Sequence, residues 1–175
     1  MRKVILFAVG SLCSMMTSGQ VLAQMARAEL RNPQGEVVGS ATLTQEVDGV
    51  TISVQVAKFT PGHHAFHVHA VGKCEPPGFT SAGGHFNPDG QPHPGHAGDL
   101  PSLLAKADGR VSLTLKTDRF KLEDLFDADG SALIVHAGPD NYANIPKDRY
   151  RPDPDATTLA TGDAGGRVAC GVIAK

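Results

Sequence analysis

Four histidines fall within seven residues, His63-His64-Ala65-Phe66-His67-Val68-His69, and four more follow at His85, His93, His96 and His136. None of the eight lies outside residues 63–136. Imidazole is the commonest metal ligand in proteins, and a lone H-x-H pair would be weak evidence of a site. Here Asp99, shortly after His96, adds a carboxylate to the cluster. Setting aside His63 and His64 leaves six histidines and one aspartate, more donors than one tetrahedral ion takes. The pattern therefore predicts two metal sites that share a ligand. Imidazole suits both copper and zinc, whereas a mixed imidazole and carboxylate set suits zinc better. A histidine shared between two cations gives up both ring protons, which only adjacent metals make favourable.

These ligands need rigid elements to hold them, and period-two alternation supplies the signal. Val50-Thr51-Ile52-Ser53-Val54-Gln55-Val56 alternates strictly, and Val111-Ser112-Leu113-Thr114-Leu115-Lys116 repeats the pattern after the turn Asp108-Gly109. Ala132-Leu133-Ile134-Val135-His136 follows the turn Asp129-Gly130. Val37-Val38, Ala41-Thr42-Leu43 and the stretch from Val168 to Ile173 are further strand candidates. Only residues 118–126, DRFKLEDLF, have helical spacing. With 20 Gly and 12 Pro between short strands, the chain reads as one all-β domain, an antiparallel sandwich or closed barrel. Two stretches do not alternate, 72–100 and 138–166, and loops of this length in a compact domain are usually functional.

Strand geometry also sorts the opening heptad. Residues two apart share a face about 6.6 Å apart, so His67 and His69 point together while Phe66 and Val68 face the core. His64 has core parity and is expected to be a buried histidine joining two backbone groups. His63 follows Pro61-Gly62 at the strand start and is expected to be solvated.

The chain opens MRKVILFAVGSLCSMMTSGQVLAQ. Arg2 and Lys3, the apolar run from Val4 to Met16 and the exit Val21-Leu22-Ala23 form a secretory signal pattern. Residues 1–23 are therefore expected to be removed, leaving 24–175 as one exported domain, periplasmic or secreted. The apolar run is too short to span a bilayer, so no membrane association is expected after cleavage. Without Arg2 and Lys3 the 16 basic residues become 14 against 18 acidic ones, a net charge of −4. Such a chain has no polyanion-binding character, and nucleic acid is not an expected partner. Loss of Cys13 leaves Cys74 and Cys170. In an oxidising compartment an isolated pair is read first as a disulfide, and two thiolates on a soft metal are the alternative. A disulfide here would close a loop of about 96 residues and stabilise by roughly 4–5 kcal/mol in the chain-entropy model.

Taken in order, Phe66-His67-Val68-His69, Gly84-His85-Phe86-Asn87-Pro88, His96-Ala97-Gly98-Asp99-Leu100 and Gly165-Gly166-Arg167-Val168-Ala169-Cys170-Gly171-Val172 resemble copper/zinc superoxide dismutase. The resemblance covers nearly all of the chain after residue 23. The short step from His69 to Cys74 and the run His136-Ala137-Gly138-Pro139-Asp140 resemble the exported bacterial branch. It implies an eight-stranded Greek-key β-barrel with an immunoglobulin-like sandwich architecture and two long functional loops. Carried over residue by residue, it implies copper on His67, His69, His85 and His136, and zinc on His85, His93, His96 and Asp99. Asp140 matches an aspartate that links His67 to His93, and Arg167 an anion-docking arginine. Cys74 and Cys170 match an intrasubunit disulfide. His64 matches a buried structural histidine.

The implied reaction converts two superoxide ions to oxygen and hydrogen peroxide, with copper cycling its oxidation state and His85 exchanging a proton. Lys147, Arg149 and Arg151 in the second loop are candidates for steering the anion. A copper carrier of the same fold is the alternative reading, but it should lack the docking arginine or the bridging histidine. A zinc-stabilised structural domain would not need His67, His69 and His136. The sequence is compatible with a monomer or a homodimer. One departure from the family stands out: only Pro94-Gly95 separates His93 from His96, where relatives place several more residues. Pro92 and Pro94 both fix φ, which restricts how His93 can turn toward Asp140 and His85.

Overall fold

The structure, a computed structural model, describes residues 24–142 and 156–175. The expected signal segment 1–23 and the steering candidates Lys147, Arg149 and Arg151 lie outside the described residues. The strands are β1 (Met25–Arg31), β2 (Val37–Glu46), β3 (Gly49–Val56), β4 (Gly62–His69), β5 (Asp99–Ala105), β6 (Val111–Thr117), β7 (Ala132–His136) and β8 (Arg167–Val172). All pair antiparallel in the order β5-β4-β7-β8-β1-β2-β3-β6. The long connections from β3 to β4 and from β6 to β7, which leave β3 beside β6 and β4 beside β7, give the Greek-key path. Edge strands β5 and β6 approach each other, so the sheet is nearly closed into a barrel.

The alternation read from the sequence decides which side chains fill it. Val50, Ile52, Val54 and Val56 of β3 meet Leu30, Leu43, Phe66, Val68, Leu103 and Leu133 in one core. Strand β1 gave little warning of itself. It buries Ala26, Ala28 and Leu30 between exposed residues, and alanine carries a poor strand signal. Strand β5 begins inside the stretch expected to be loop, at Asp99, and carries Pro101, which an edge strand tolerates. The helical spacing at 118–126 yields only a 3₁₀ segment, Leu122–Phe126. Leu122 and Leu125 are its buried residues, and that three-residue spacing fits a 3₁₀ turn. The short helix α1 (Ala156–Thr161) in the second long loop spans only six residues, too few to show periodicity.

Strand β7 is buried throughout. Leu133 and Val135 face the barrel core. Ala132 and Ile134 face outward into a second cluster with Phe79, Ala82 and Cys170, and Cys74 packs against it. The disulfide Cys74–Cys170 lies there, with Cα atoms 5.6 Å apart. It fastens the first loop to β8 across the outside of the barrel.

Because the barrel keeps its own ladders, reducing this disulfide should loosen the loop first. Hydrogen exchange at residues 72–84 should rise while the amides of β2, β3 and β6 stay protected. Equal loss of protection in the loop and those strands would overturn this order.

Candidate metal centre

The ligand-type side chains converge on the outer face of the β4–β7 pair. Backbone bonds from Phe86 N to Val68 O (2.8 Å), Ala70 N to Gly84 O (2.9 Å) and Gly98 N to Phe86 O (2.8 Å) lay the first loop along β4. That pairing sets His85 opposite His69. Gly98 is required here, since a Cβ at that position would sit 2.3 Å from Val68 O. Asp99 opens β5 directly across from His67, and His136 closes β7.

Two groups result, His67-His69-His85-His136 and His85-His93-His96-Asp99, each with ligand atoms within 4.8 Å of one another. His85 belongs to both. Its Nδ1 lies 2.7 Å from Asp99 Oδ1 and 3.1 Å from His96 Nδ1, which leaves Nε2 for the other group. The ligands of tetrahedral zinc, each about 2.0–2.1 Å from the ion, lie about 3.3 Å apart, so the second group has the required dimensions. His93, which the two prolines could have turned away, is brought in: its Nδ1 is 3.0 Å from Asp99 Oδ2.

The outer nitrogens of these rings are already engaged. His67 Nε2 bonds Asp140 Oδ2 at 2.7 Å, and His93 Nε2 bonds Asp140 Oδ1 at 2.8 Å. Tyr142 N donates to Asp140 Oδ1 at 2.7 Å. His69 Nδ1 bonds Gly83 O at 2.9 Å, and His136 Nδ1 bonds Gly165 O at 3.1 Å. Three inward nitrogens, His67 Nδ1, His69 Nε2 and His136 Nε2, are buried without a hydrogen-bond partner, and His93 Nδ1 has only the Asp99 carboxylate beside it. Orphaned buried acceptors are costly, and one metal ion within the first group would satisfy all three. The residues fit copper and zinc.

Charge differs between the two groups. Burial pushes His69 down to about 2 and His136 down to about 4, with the Arg167 charge acting in the same direction on both. His67 is lowered by burial as well. These rings are neutral and ready to ligate. For His93 burial opposes the charge, but the bond to Asp140 and the contacts with Asp99 outweigh it and raise the pKa to about 9. Asp99 and Asp140 resist burial through the same histidines and stay well below the usual carboxylate range.

The remaining expectations can be placed as well. His64 is buried, with Nδ1 2.7 Å from His136 O and Nε2 2.8 Å from Thr60 O, so it does join two backbone groups. His63 is exposed. Arg167 on β8 donates to Phe79 O (2.6 Å) and Gly83 O (2.7 Å), the latter being the carbonyl that His69 uses. Gly162 escaped the sequence reading. It follows α1 with φ +67°, and a Cβ there would lie 2.0 Å from Asp140 Oδ1 and 2.7 Å from His93 Nε2. A glycine after a helix end gives no hint of such a role, because the commoner reason for it is the cap itself.

A Greek-key barrel with two histidine-rich groups sharing one imidazole defines a dinuclear metalloprotein. Residues 37–173 match the family model described as copper/zinc superoxide dismutase. The chain is 44% identical over 169 residues to superoxide dismutase [Cu-Zn] of Mycobacterium tuberculosis, covering 86% of this chain and 70% of that protein. It is 34% identical over 173 residues to the Escherichia coli protein of the same name, covering 90% and 91%. The Cu/Zn superoxide dismutase of Brucella abortus superposes with a TM-score of 0.67 at 34% identity, covering 85% of this chain and 99% of that one. A SOD-like protein from Bacillus subtilis does so with a TM-score of 0.70 at 31% identity, covering 83% and 96%. The chain belongs to the copper/zinc superoxide dismutase family, and it is an oxidoreductase that dismutes superoxide with copper and zinc.

Two consequences can be measured. Since His93 carries a proton below about 9, a Zn²⁺ ion taken up through its Nδ1 would have to displace that proton. Zinc affinity of metal-free protein should rise about ten-fold per pH unit from 7 toward 9 and flatten beyond; a flat profile over that range would disprove it. Gly162→Ala should lower zinc affinity by about 10- to 100-fold, the usual cost of disturbing a ligand's outer partner. Unchanged affinity in a chelator competition would show that Asp140 and His93 relax around the methyl group.

Proposed function

We propose that His67, His69, His85 and His136 hold the copper, that His85, His93, His96 and Asp99 hold the zinc, and that Arg167 docks superoxide beside the copper. The observation that carries this reading is His85, whose two nitrogens serve two ligand groups at once. When bound, copper supplies the one-electron centre for both half-reactions, and zinc supplies a fixed charge that keeps the shared imidazole oriented and acidic.

The chain's own residues do the rest. Two superoxide ions and two protons become one oxygen and one hydrogen peroxide, so protons must be delivered in step with electrons. His85 Nε2 faces the copper group and is the atom that takes up a proton in one half-reaction and gives it to peroxide in the next. Its Nδ1 stays with His96 and Asp99, so the ring does not leave. Asp140 fixes the outer nitrogens of His67 and His93 and keeps both rings aimed inward. Arg167 spends N–H groups on Phe79 O and Gly83 O, which pins it; its remaining donors would meet the anion. A carrier that only transports copper needs neither the shared His85 nor a pinned arginine.

Export belongs to the same reading. The charged start, apolar run and small-residue exit of residues 1–23, with a disulfide in the mature domain, support a periplasmic or secreted enzyme, monomer or homodimer.

Metal analysis of the mature protein, paired with a dismutation assay, tests the proposal: about one copper and one zinc per chain with turnover support it, and bound copper without turnover favours the carrier. Arg167→Ala should keep both metals yet lose about 10- to 100-fold in kcat/KM, the scale of one charged hydrogen bond. Superoxide dismutase is itself a known case of electrostatic steering; activity of the native protein that did not fall with ionic strength would remove Arg167 from that role.

A further inference from the structure

Arg119 sits just past the end of β6, far along the chain from the first loop, and was not expected to touch the metal centre. Its Nη1 donates to three backbone carbonyls, Pro94 O at 3.0 Å, His96 O at 3.1 Å and Asp99 O at 3.3 Å. Those carbonyls belong to residues 94–99, which carry two of the four second-group ligands, His96 and Asp99, and directly follow a third, His93. Three carbonyl dipoles aimed at one point repel one another, and a cation placed there holds them together. The neighbouring residue grips the same loop from inside: Phe120 is buried and meets Phe86 edge-on, ring centroids 6.2 Å apart, next to His85. Residues 119 and 120 thus hold the loop from both sides.

We infer that Arg119 is a positioning residue for zinc, fixing the backbone of residues 94–99 so that His96 and Asp99 are held in ligating geometry. The inference rests on the assignment of zinc to His85, His93, His96 and Asp99. A segment with only Pro94-Gly95 between two ligands has little length over which to absorb error, and it makes few other backbone bonds to the barrel near His96. The guanidinium supplies the missing tether. It touches no reacting atom and is exposed, so its effect has to appear in zinc retention.

The test uses the purified full mature protein carrying Arg119→Met or Arg119→Lys, loaded with both metals. Zinc release to a chelator is followed, with the copper absorption spectrum, the d–d spectrum of Co²⁺ substituted for zinc, and thermal unfolding of the metal-free form. In Arg119→Met zinc should leave about ten-fold faster or more, the scale found for outer partners of metal ligands. Its Co²⁺ spectrum should broaden, while the copper spectrum and the metal-free Tm stay as in the native protein. Arg119→Lys keeps a cation with three donors and should recover part of the loss. Zinc release within two-fold of the native rate in Arg119→Met overturns the inference, as does a fall in metal-free Tm with equal loss of both metals. Native protein that binds no zinc would instead overturn the ligand assignment itself.

Discussion

The Asp140 carboxylate is the constraint on which the metal centre depends. One oxygen holds His67 from the strand β4, and the other holds His93 from the first loop. A buried carboxylate is tolerated only when its lone pairs are occupied, and here two imidazoles and the Tyr142 amide occupy them. The same bonds tie the two ligand groups to one point in the second loop. Gly162 lies so close that no side chain fits between them.

The two groups are built differently, and their electrostatics follow. His67, His69 and His136 stand on β4 and β7, whose pairing fixes them whether or not anything is bound. Burial, helped at His69 and His136 by the Arg167 charge, keeps them neutral. The loop ligands His93 and His96 have no ladder of their own, and their order comes from Asp99, Asp140 and the carbonyls gathered by Arg119. Under the proposed assignment, strand scaffolding suits the site where geometry must persist through a redox cycle, and a charged network suits the one whose ion does not change state.

Much of this was legible in the residue order. Alternation marked β3 and β6, an apolar run after Asp129-Gly130 marked β7, parity separated His67 and His69 from His64, and the motifs carried the residues that the structure gathers into two groups. What stayed hidden depended on contacts between distant segments. Strand β1 is alanine-rich, β5 starts within a loop by appearance, and the helical spacing at 118–126 becomes one 3₁₀ segment because its leucines need only a single turn to reach the core. Arg119 and Gly162 act through backbone carbonyls and through the lack of a side chain, which no spacing rule detects. Only Pro94-Gly95 between two ligands suggested strain, and the structure accommodates it, with His93 buried and bonded to Asp140.

The barrel also divides into two halves of unequal freedom. Strands β4 and β7 are covered on both faces over most of their length, by core on one side and by the loops on the other. Strands β3 and β6 bury one face and present the other to solvent, where Ser53 and Thr114 share a hydrogen bond and Lys116 pairs with Glu46. Nothing on that outer face touches a ligand. Anyone wishing to tether the enzyme to a bead, append a dye or redraw its surface charge therefore has a broad panel at Gln55, Ser112 and Thr114 on which to work. Strands β4 and β7 themselves offer no such handhold, because nearly every side chain on them is buried against the core, the loops or a metal ligand.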